Sequence, residues 1–106
     1  MMFRGVLMAS ALLLSQAEGV QAADVAAGQK LARTACVNCH FVADGVGPSQ
    51  PTAGVPGFRA IASKPGQTGD KIKAAILSPH PPMPGVQLTV HELDNVAAYI
   101  LSLKKN

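Results

Sequence analysis

Both cysteines of this 106-residue chain lie in one five-residue segment, the C-V-N-C-H sequence at positions 36–40. Thiols one helical turn apart can each add to one of the two vinyl groups on the same edge of a porphyrin. His40 follows the second cysteine directly, so its imidazole is carried to the iron as an axial ligand. The segment therefore predicts a single haem c, attached covalently through Cys36 and Cys39.

Other chemistries use the C-x-x-C spacing, and each of them lacks a component here. A structural zinc site needs four Cys or His ligands, and only His80 and His91 remain outside the segment. A thioredoxin-like redox pair needs a strand, helix, strand context, which the sequence pattern does not provide. A disulfide between the two cysteines would close a trivial loop and leave His40 unexplained. Haem attachment is the interpretation that uses all three residues.

The first 22 residues have the pattern of a secretory signal peptide. Arg4 precedes an apolar run at residues 6–14, and the segment closes with V-Q-A at 20–22. The apolar run is shorter than the roughly 20 residues that a membrane-spanning helix needs. We expect cleavage after Ala22, with an uncleaved anchor as the alternative. The mature chain, a single domain at residues 23–106, should then be periplasmic and should not span the membrane.

Those 84 residues contain only 22 large apolar side chains, and Phe41, Phe58 and Tyr99 are their only aromatic residues. A domain of this size usually needs a disulfide, a metal or a cofactor beside its core, and a haem would supply the missing apolar bulk.

A net charge of +3 without a dense basic stripe argues against a nucleic-acid partner. Surface lysines usually contribute only to solubility. The functional alternative is that the lysines of this chain steer an acidic redox partner.

The periodicity of the mature chain predicts helices joined by loops rich in glycine and proline, without a convincing strand. Asp24 is placed to cap a first helix that runs to about Ala35. Pro56 is placed to open a short second helix through Phe58 and Ile61.

A third and a fourth helix follow in the second half of the chain. Thr68 or Asp70 is expected to cap the third helix, which should bury one face and end before Pro79; the face consists of Ile72, Ala75 and Ile76. Thr89 and Glu92 have the spacing of a capping box, flanked by a hydrophobic staple of Leu88 and Leu93. The predicted buried face of the last helix comprises Leu93, Val96, Ala97, Ile100 and Leu103.

Three motifs in this order carry a family resemblance: the C-V-N-C-H segment, Gly47-Pro48 after it, and Met83 in a proline-rich strap before a helix with A-Y-I at 98–100. Residues 23–106 resemble a small bacterial class I cytochrome c, a monohaem electron carrier. The resemblance implies an all-α fold, with class I cytochrome c-like helices wrapped around one covalently attached haem.

The resemblance also assigns supporting residues. It implies that the Pro48 carbonyl accepts the proton on the outer ring nitrogen of His40, although this proline also suits a simple turn. It implies that the first and last helices cross at Gly28, with Tyr99 and Val96 as its partners. Relatives often carry an aromatic residue four positions before the first cysteine, where this chain has Ala32. The crossing should therefore lose aromatic area.

Met83 is the only methionine left after removal of the signal, and the resemblance implies that it is the second axial ligand. A thioether opposite an imidazole raises the reduction potential relative to two imidazoles. The alternatives are that Met83 only fills the core, or that His80 or His91 takes the sixth position. Of the two histidines, His91 is expected to be a solvated residue of the last helix and not an iron ligand.

The interpretation that follows is one-electron transfer between periplasmic redox proteins by a monomer that is not itself an enzyme. A permanent electron-accepting subunit of a dehydrogenase would use the same chemistry. A gas sensor or a peroxidase-like enzyme is the remaining alternative, and it would need an open or easily vacated sixth position at the iron.

Overall fold

The computed structural model describes residues 22–78 and 83–105. Within these ranges the chain forms four helices and no strand: α1 (Val25–Ala35), α2 (Phe58–Ala62), α3 (Gly69–Leu77) and α4 (Val90–Ser102). The only strand-like pairing in the described ranges is an isolated bridge between Ala43 and Val46. The predicted all-α fold is thus confirmed. The signal peptide up to Gln21, and the part of the strap at residues 79–82, lie outside the described residues.

Helix α1 begins as the sequence predicts. The Asp24 side chain accepts a hydrogen bond from the backbone N–H of Ala27 at 3.1 Å, which satisfies one of the free donors of the first turn. The backbone N–H of Asp24 donates to Oδ1 of Asn95 at 2.8 Å and ties the start of α1 to α4. At the other end the N–H of Cys36 donates to the carbonyl of Ala32. Helix α1 therefore delivers the chain directly into the C-V-N-C-H segment.

Helices α1 and α4 cross at Gly28, which confirms the predicted contact with Tyr99. A Cβ atom at Gly28 would overlap the backbone carbonyl of Asn95 and would lie 2.9 Å from Cβ of Tyr99. Only glycine therefore allows the two helices to approach this closely. The predicted partner Val96 is buried in the core at 1% exposure, but it is not among the three atoms nearest to a Cβ at Gly28. These belong to Asn95 and Tyr99. Ala32 is fully buried on the same helix, beside a half-buried Leu31.

Helix α4 supplies half of the core. Thr89 and Glu92 form the predicted capping box, and the buried residues of the helix are Leu93, Val96, Ala97, Tyr99 and Ile100. Leu103 lies at the C-cap and is only half-buried. The core itself is small: Val42 and Val96 are the largest side chains with under 2% exposure in the described ranges.

Helix α3 is capped by Thr68, whose side chain accepts from the N–H of Lys71. The prediction that Ala75 shares the buried face was wrong, because Ala75 is exposed while Ile72 is buried and Ile76 is half-buried. Successive residues of an α-helix are about 100° apart. Ile72 and Ile76 therefore lie close together around the axis, and Ala75 is turned away from Ile76 by one such step.

The capping box of α4 makes a pH-dependent contribution to stability. Hydrogen bonds from the backbone N–H and then the side chain of Thr89 lower the pKa of the Glu92 carboxyl. A lowered folded-state pKa contributes stability that is present above the unfolded value of about 4.3 and is lost as the pH falls through the folded value. Glu92→Ala should therefore destabilise the protein at about pH 7 and progressively less towards about pH 3, as measured by urea unfolding.

The matched control for this prediction is Glu92→Gln, which keeps an oxygen acceptor at the same position but does not titrate. Its stability relative to that of Glu92→Ala should vary little with pH. A constant gap between wild type and Glu92→Ala across the pH range would contradict the assignment.

Candidate haem site

The C-V-N-C-H segment continues α1 as a compact turn. The backbone N–H groups of Cys39 and His40 both donate to the carbonyl of Cys36, at 3.2 and 3.0 Å. Both cysteines are free thiols, with Cys36 half-buried and Cys39 exposed. The turn therefore keeps two unpaired thiols and the imidazole of His40 together at the end of one helix.

Burial raises the pKa of the Cys36 thiol, and the neighbouring Cys39 raises it further. Redox-active C-x-x-C pairs show the opposite shift, because their reactive thiol lies at a helix N-terminus or beside a cation. Here Cys36 caps the C-terminal end of α1, which carries the negative pole of the helix dipole. The electrostatics thus disfavour the thioredoxin-like alternative.

The ring of His40 is held by a carbonyl that the sequence analysis did not assign. Its Nδ1 lies 2.6 Å from the backbone oxygen of Pro56. A carbonyl only accepts, so Nδ1 carries the proton of this hydrogen bond, and in the neutral ring Nε2 has the free lone pair. The assignment of this role to Pro48 was wrong. The predicted opening of α2 by Pro56 was also wrong, because the helix begins at Phe58 after an N-cap at Gly57.

The path of the loop after His40 explains why Pro56, and not Pro48, contacts the histidine ring. The N–H of Val42 donates to the carbonyl of Val46 at 2.8 Å, in a tight turn that contains Gly45 with a positive φ of 73°. The chain then returns over the Phe41 ring at Gly47, where a Cβ would lie 2.5 Å from Cδ1 of that ring.

Pro48 instead lines a surface depression together with Val37 and Asn38. Further along the chain, the N–H of Phe58 donates to the carbonyl of Phe41 at 2.8 Å, and this pairing places Pro56 against the His40 ring.

Two aromatic rings connect His40 to the core. The ring centroid of Phe58 lies 5.4 Å from that of His40, in a tilted arrangement, and 6.4 Å from that of Tyr99, in an edge-to-face arrangement. The Tyr99 hydroxyl donates to the carbonyl of Val42 at 2.5 Å, so the last helix also holds the loop after the histidine. The imidazole is therefore supported by packing on one side and by a hydrogen bond at Nδ1.

The candidate sixth ligands fall in different places. Met83 is half-buried in the non-helical segment that leads to α4. His91 is exposed and lines a groove with Ala22, Ala23 and Asp24 at the beginning of α1. Helix α1 has 11 residues, which corresponds to about 16 Å of axial length, and His40 follows its opposite end. This position disfavours His91 as a partner of His40. His80 lies outside the described residues.

The donors present fit a covalently attached haem. The two thiols are unpaired, the imidazole has one nitrogen engaged and the other available, and the half-buried thioether of Met83 is a soft ligand suited to iron. The small core is consistent with a domain that a porphyrin completes. Such a helical domain has the chemistry of a c-type haem protein.

Comparison with known proteins gives the same class. Residues 25–104 match the family model described as Cytochrome c. "Cytochrome c-552" of Bradyrhizobium diazoefficiens is 37% identical over 101 residues, which cover 95% of this chain and 94% of the relative. No solved structure shows a significant match. The chain belongs to the cytochrome c family, as a small class I monohaem member.

Sequence reasoning missed the two backbone carbonyls that matter most at the site, those of Pro56 and Val42. A carbonyl is common to every residue, so no residue type marks it as an acceptor. The available signals were indirect. Pro56 lies two residues before Phe58, the buried aromatic residue that begins α2. Tyr99 was expected at the crossing with Gly28, and the hydroxyl of a buried tyrosine needs a hydrogen-bond partner.

Proposed function

We propose that this electron carrier works in the periplasm with one haem c, attached through Cys36 and Cys39 and ligated axially by His40 and Met83. When bound, the haem supplies a one-electron ferric/ferrous couple. The observation that carries the proposal is the hydrogen bond between His40 Nδ1 and Pro56, directly after two unpaired thiols. It leaves Nε2 of the imidazole as the available donor nitrogen.

The protein's own residues would perform the supporting work. The Pro56 carbonyl orients the imidazole and increases its basicity, which is the role of such a partner behind a metal-bound histidine. Met83 has proline on both sides in the sequence, and the fixed φ of proline stiffens the backbone around the thioether. Two held ligands favour electron transfer because little atomic movement accompanies each change of charge. Redox partners then need no access to the iron, in contrast to an enzyme that binds substrate there.

The periplasmic location rests on the N-terminal pattern. The predicted cleavage site after Ala22 lies just before Asp24, which caps the first helix, so cleavage would leave the described helical domain whole. The family match also begins within this domain, at residue 25. In the described ranges, no helix is both long and apolar enough to cross a bilayer.

Covalent attachment predicts that the haem stays with the chain after denaturation. Thioether bonds from Cys36 and Cys39 should hold it through acid-acetone extraction, and the denatured protein should give a c-type pyridine haemochrome. Replacing either cysteine by alanine should leave one thioether, shift the haemochrome spectrum and reduce the yield of mature protein. Alanine at exposed Ser49, in the following loop, is the control and should change neither. Extractable haem, or stoichiometric zinc instead, would contradict the proposal.

A further inference from the structure

Arg59 connects three separate parts of the chain. Its Nε and Nη2 donate to the two carboxylate oxygens of Asp44, each at 3.1 Å, in a bidentate pair. Its Nη1 donates to the backbone carbonyl of Leu103 at 3.0 Å. The guanidinium therefore joins α2 to the loop after His40 and to the end of α4. A lysine could not reproduce this planar set of three donors.

The Arg59 pair is the last of three links between the segment at residues 40–44 and the segment at residues 56–59. The first is His40 Nδ1 to the Pro56 carbonyl, and the second is the Phe58 N–H to the Phe41 carbonyl. The third is Arg59 to Asp44. The first two depend on single hydrogen bonds, whereas the third is bidentate and charge-assisted, which is the stronger kind.

The contact with Leu103 anchors this pair to the core. Leu103 caps the C-terminal end of α4, where unpaired carbonyls and the helix dipole favour a cation. Helix α4 contributes five buried residues to the core, so packing fixes the position of this helix. An isolated surface ion pair contributes little, but the Arg59 side chain is only 35% exposed and bonds to three oxygen atoms.

We propose that Arg59 is a positioning residue for His40. By joining Asp44 to the end of α4, it holds the two segments in register and keeps the Nδ1–H of His40 bonded to Pro56. This inference rests on the proposed function, in which His40 ligates the haem iron. It adds that the electronic properties of the histidine depend on an arginine that does not contact it. A weaker hydrogen bond would make the imidazole a poorer electron donor and raise the reduction potential.

The test uses the haem-loaded protein and Arg59→Lys, which keeps the positive charge but loses the bidentate geometry. NMR of the reduced protein follows exchange of the His40 Nδ1 proton with solvent. We expect exchange about fivefold faster than in wild type, which corresponds to the loss of about 1 kcal/mol, the typical contribution of one hydrogen bond. Asp44→Asn should act in the same direction. The reduction potential of Arg59→Lys should rise even though its charge is unchanged. A purely electrostatic role of Arg59 predicts no such rise, because losing a nearby positive charge would lower the potential.

The matched control is Lys73→Gln, because the Lys73 side chain is 31% exposed and joins α3 to α4 through Asp94 at 3.0 Å. It should leave the exchange of the Nδ1 proton unchanged. Exchange within twofold of wild type in both Arg59→Lys and Asp44→Asn would overturn the inference alone. If the wild-type His40 ring shows no haem-induced shift, the proposed function fails as well, and the wild-type spectrum distinguishes this case.

Discussion

Replacing Met83 by alanine is expected to abolish the weak near-infrared sulfur-to-iron charge-transfer band of the oxidised protein. The reduction potential should fall, because the thioether favours the reduced iron. The reduced variant should bind carbon monoxide, which we expect the unmutated protein to refuse at neutral pH. The haem should remain attached, since Cys36 and Cys39 are untouched. Absorption spectra, redox titration and carbon monoxide titration check these results.

Two further variants separate the identity of the ligand from its loss. Met83→His should keep six ligands on the iron and still lower the potential, without opening the iron to carbon monoxide. His91→Ala should change nothing, because His91 is exposed at the far end of α1.

The unmutated protein itself distinguishes the remaining alternatives. If its reduced form binds carbon monoxide readily, the sixth position is labile, and a sensor or a peroxidase-like enzyme becomes the better interpretation. If the band is absent and carbon monoxide is still refused, His80 or His91 is the ligand. The alanine variants of these two histidines would then show which.

The second large effect is expected at the helix crossing. Gly28→Ala should lower the free energy of unfolding by about 2 kcal/mol or more, because the new methyl group overlaps the Asn95 carbonyl and crowds Tyr99. For a domain of this size, the melting temperature should fall by roughly 10 °C. Helix propensity alone predicts the opposite sign, since alanine in a helix is favoured over glycine by about 1 kcal/mol.

Gly69→Ala is the matched control for the crossing. Gly69 is also helical, but a Cβ there would meet only Cδ1 of Leu101 at 3.7 Å, an ordinary contact. This variant should be as stable as wild type or slightly more so, in thermal and urea unfolding. A Gly28→Ala protein that also melts at or above the wild-type temperature would show that α1 and α4 do not cross in this way.

The helices were largely predictable because their signals are local. The cap of α1 at Asp24 and the capping box at Thr89 and Glu92 lie where the sequence places them. A side chain that caps its own helix reaches only three residues along the chain, so the spacing is visible in the sequence. The start of α2 was less predictable, because Pro56 suits either the first turn of a helix or the loop before it.

The residues proposed to attach the haem are also close together in the chain, so the sequence by itself identified these candidates. Cys36, Cys39 and His40 lie within one turn, and their residue types specify thiols and an imidazole at a spacing suited to a porphyrin edge. The crossing at Gly28 was implied by the family resemblance, whereas its nearest neighbour, the Asn95 carbonyl, was not.

The support of the imidazole was decided only by the tertiary structure. Whether Pro48 or Pro56 reaches His40 depends on how the turn at residues 42–46 directs the chain and on the pairing of Phe41 with Phe58. The contacts of Arg59 with Asp44 and Leu103 likewise join residues 15 and 44 positions apart. A backbone carbonyl has the same chemistry at every position, so only the packed arrangement of the segments determines which one a side chain meets.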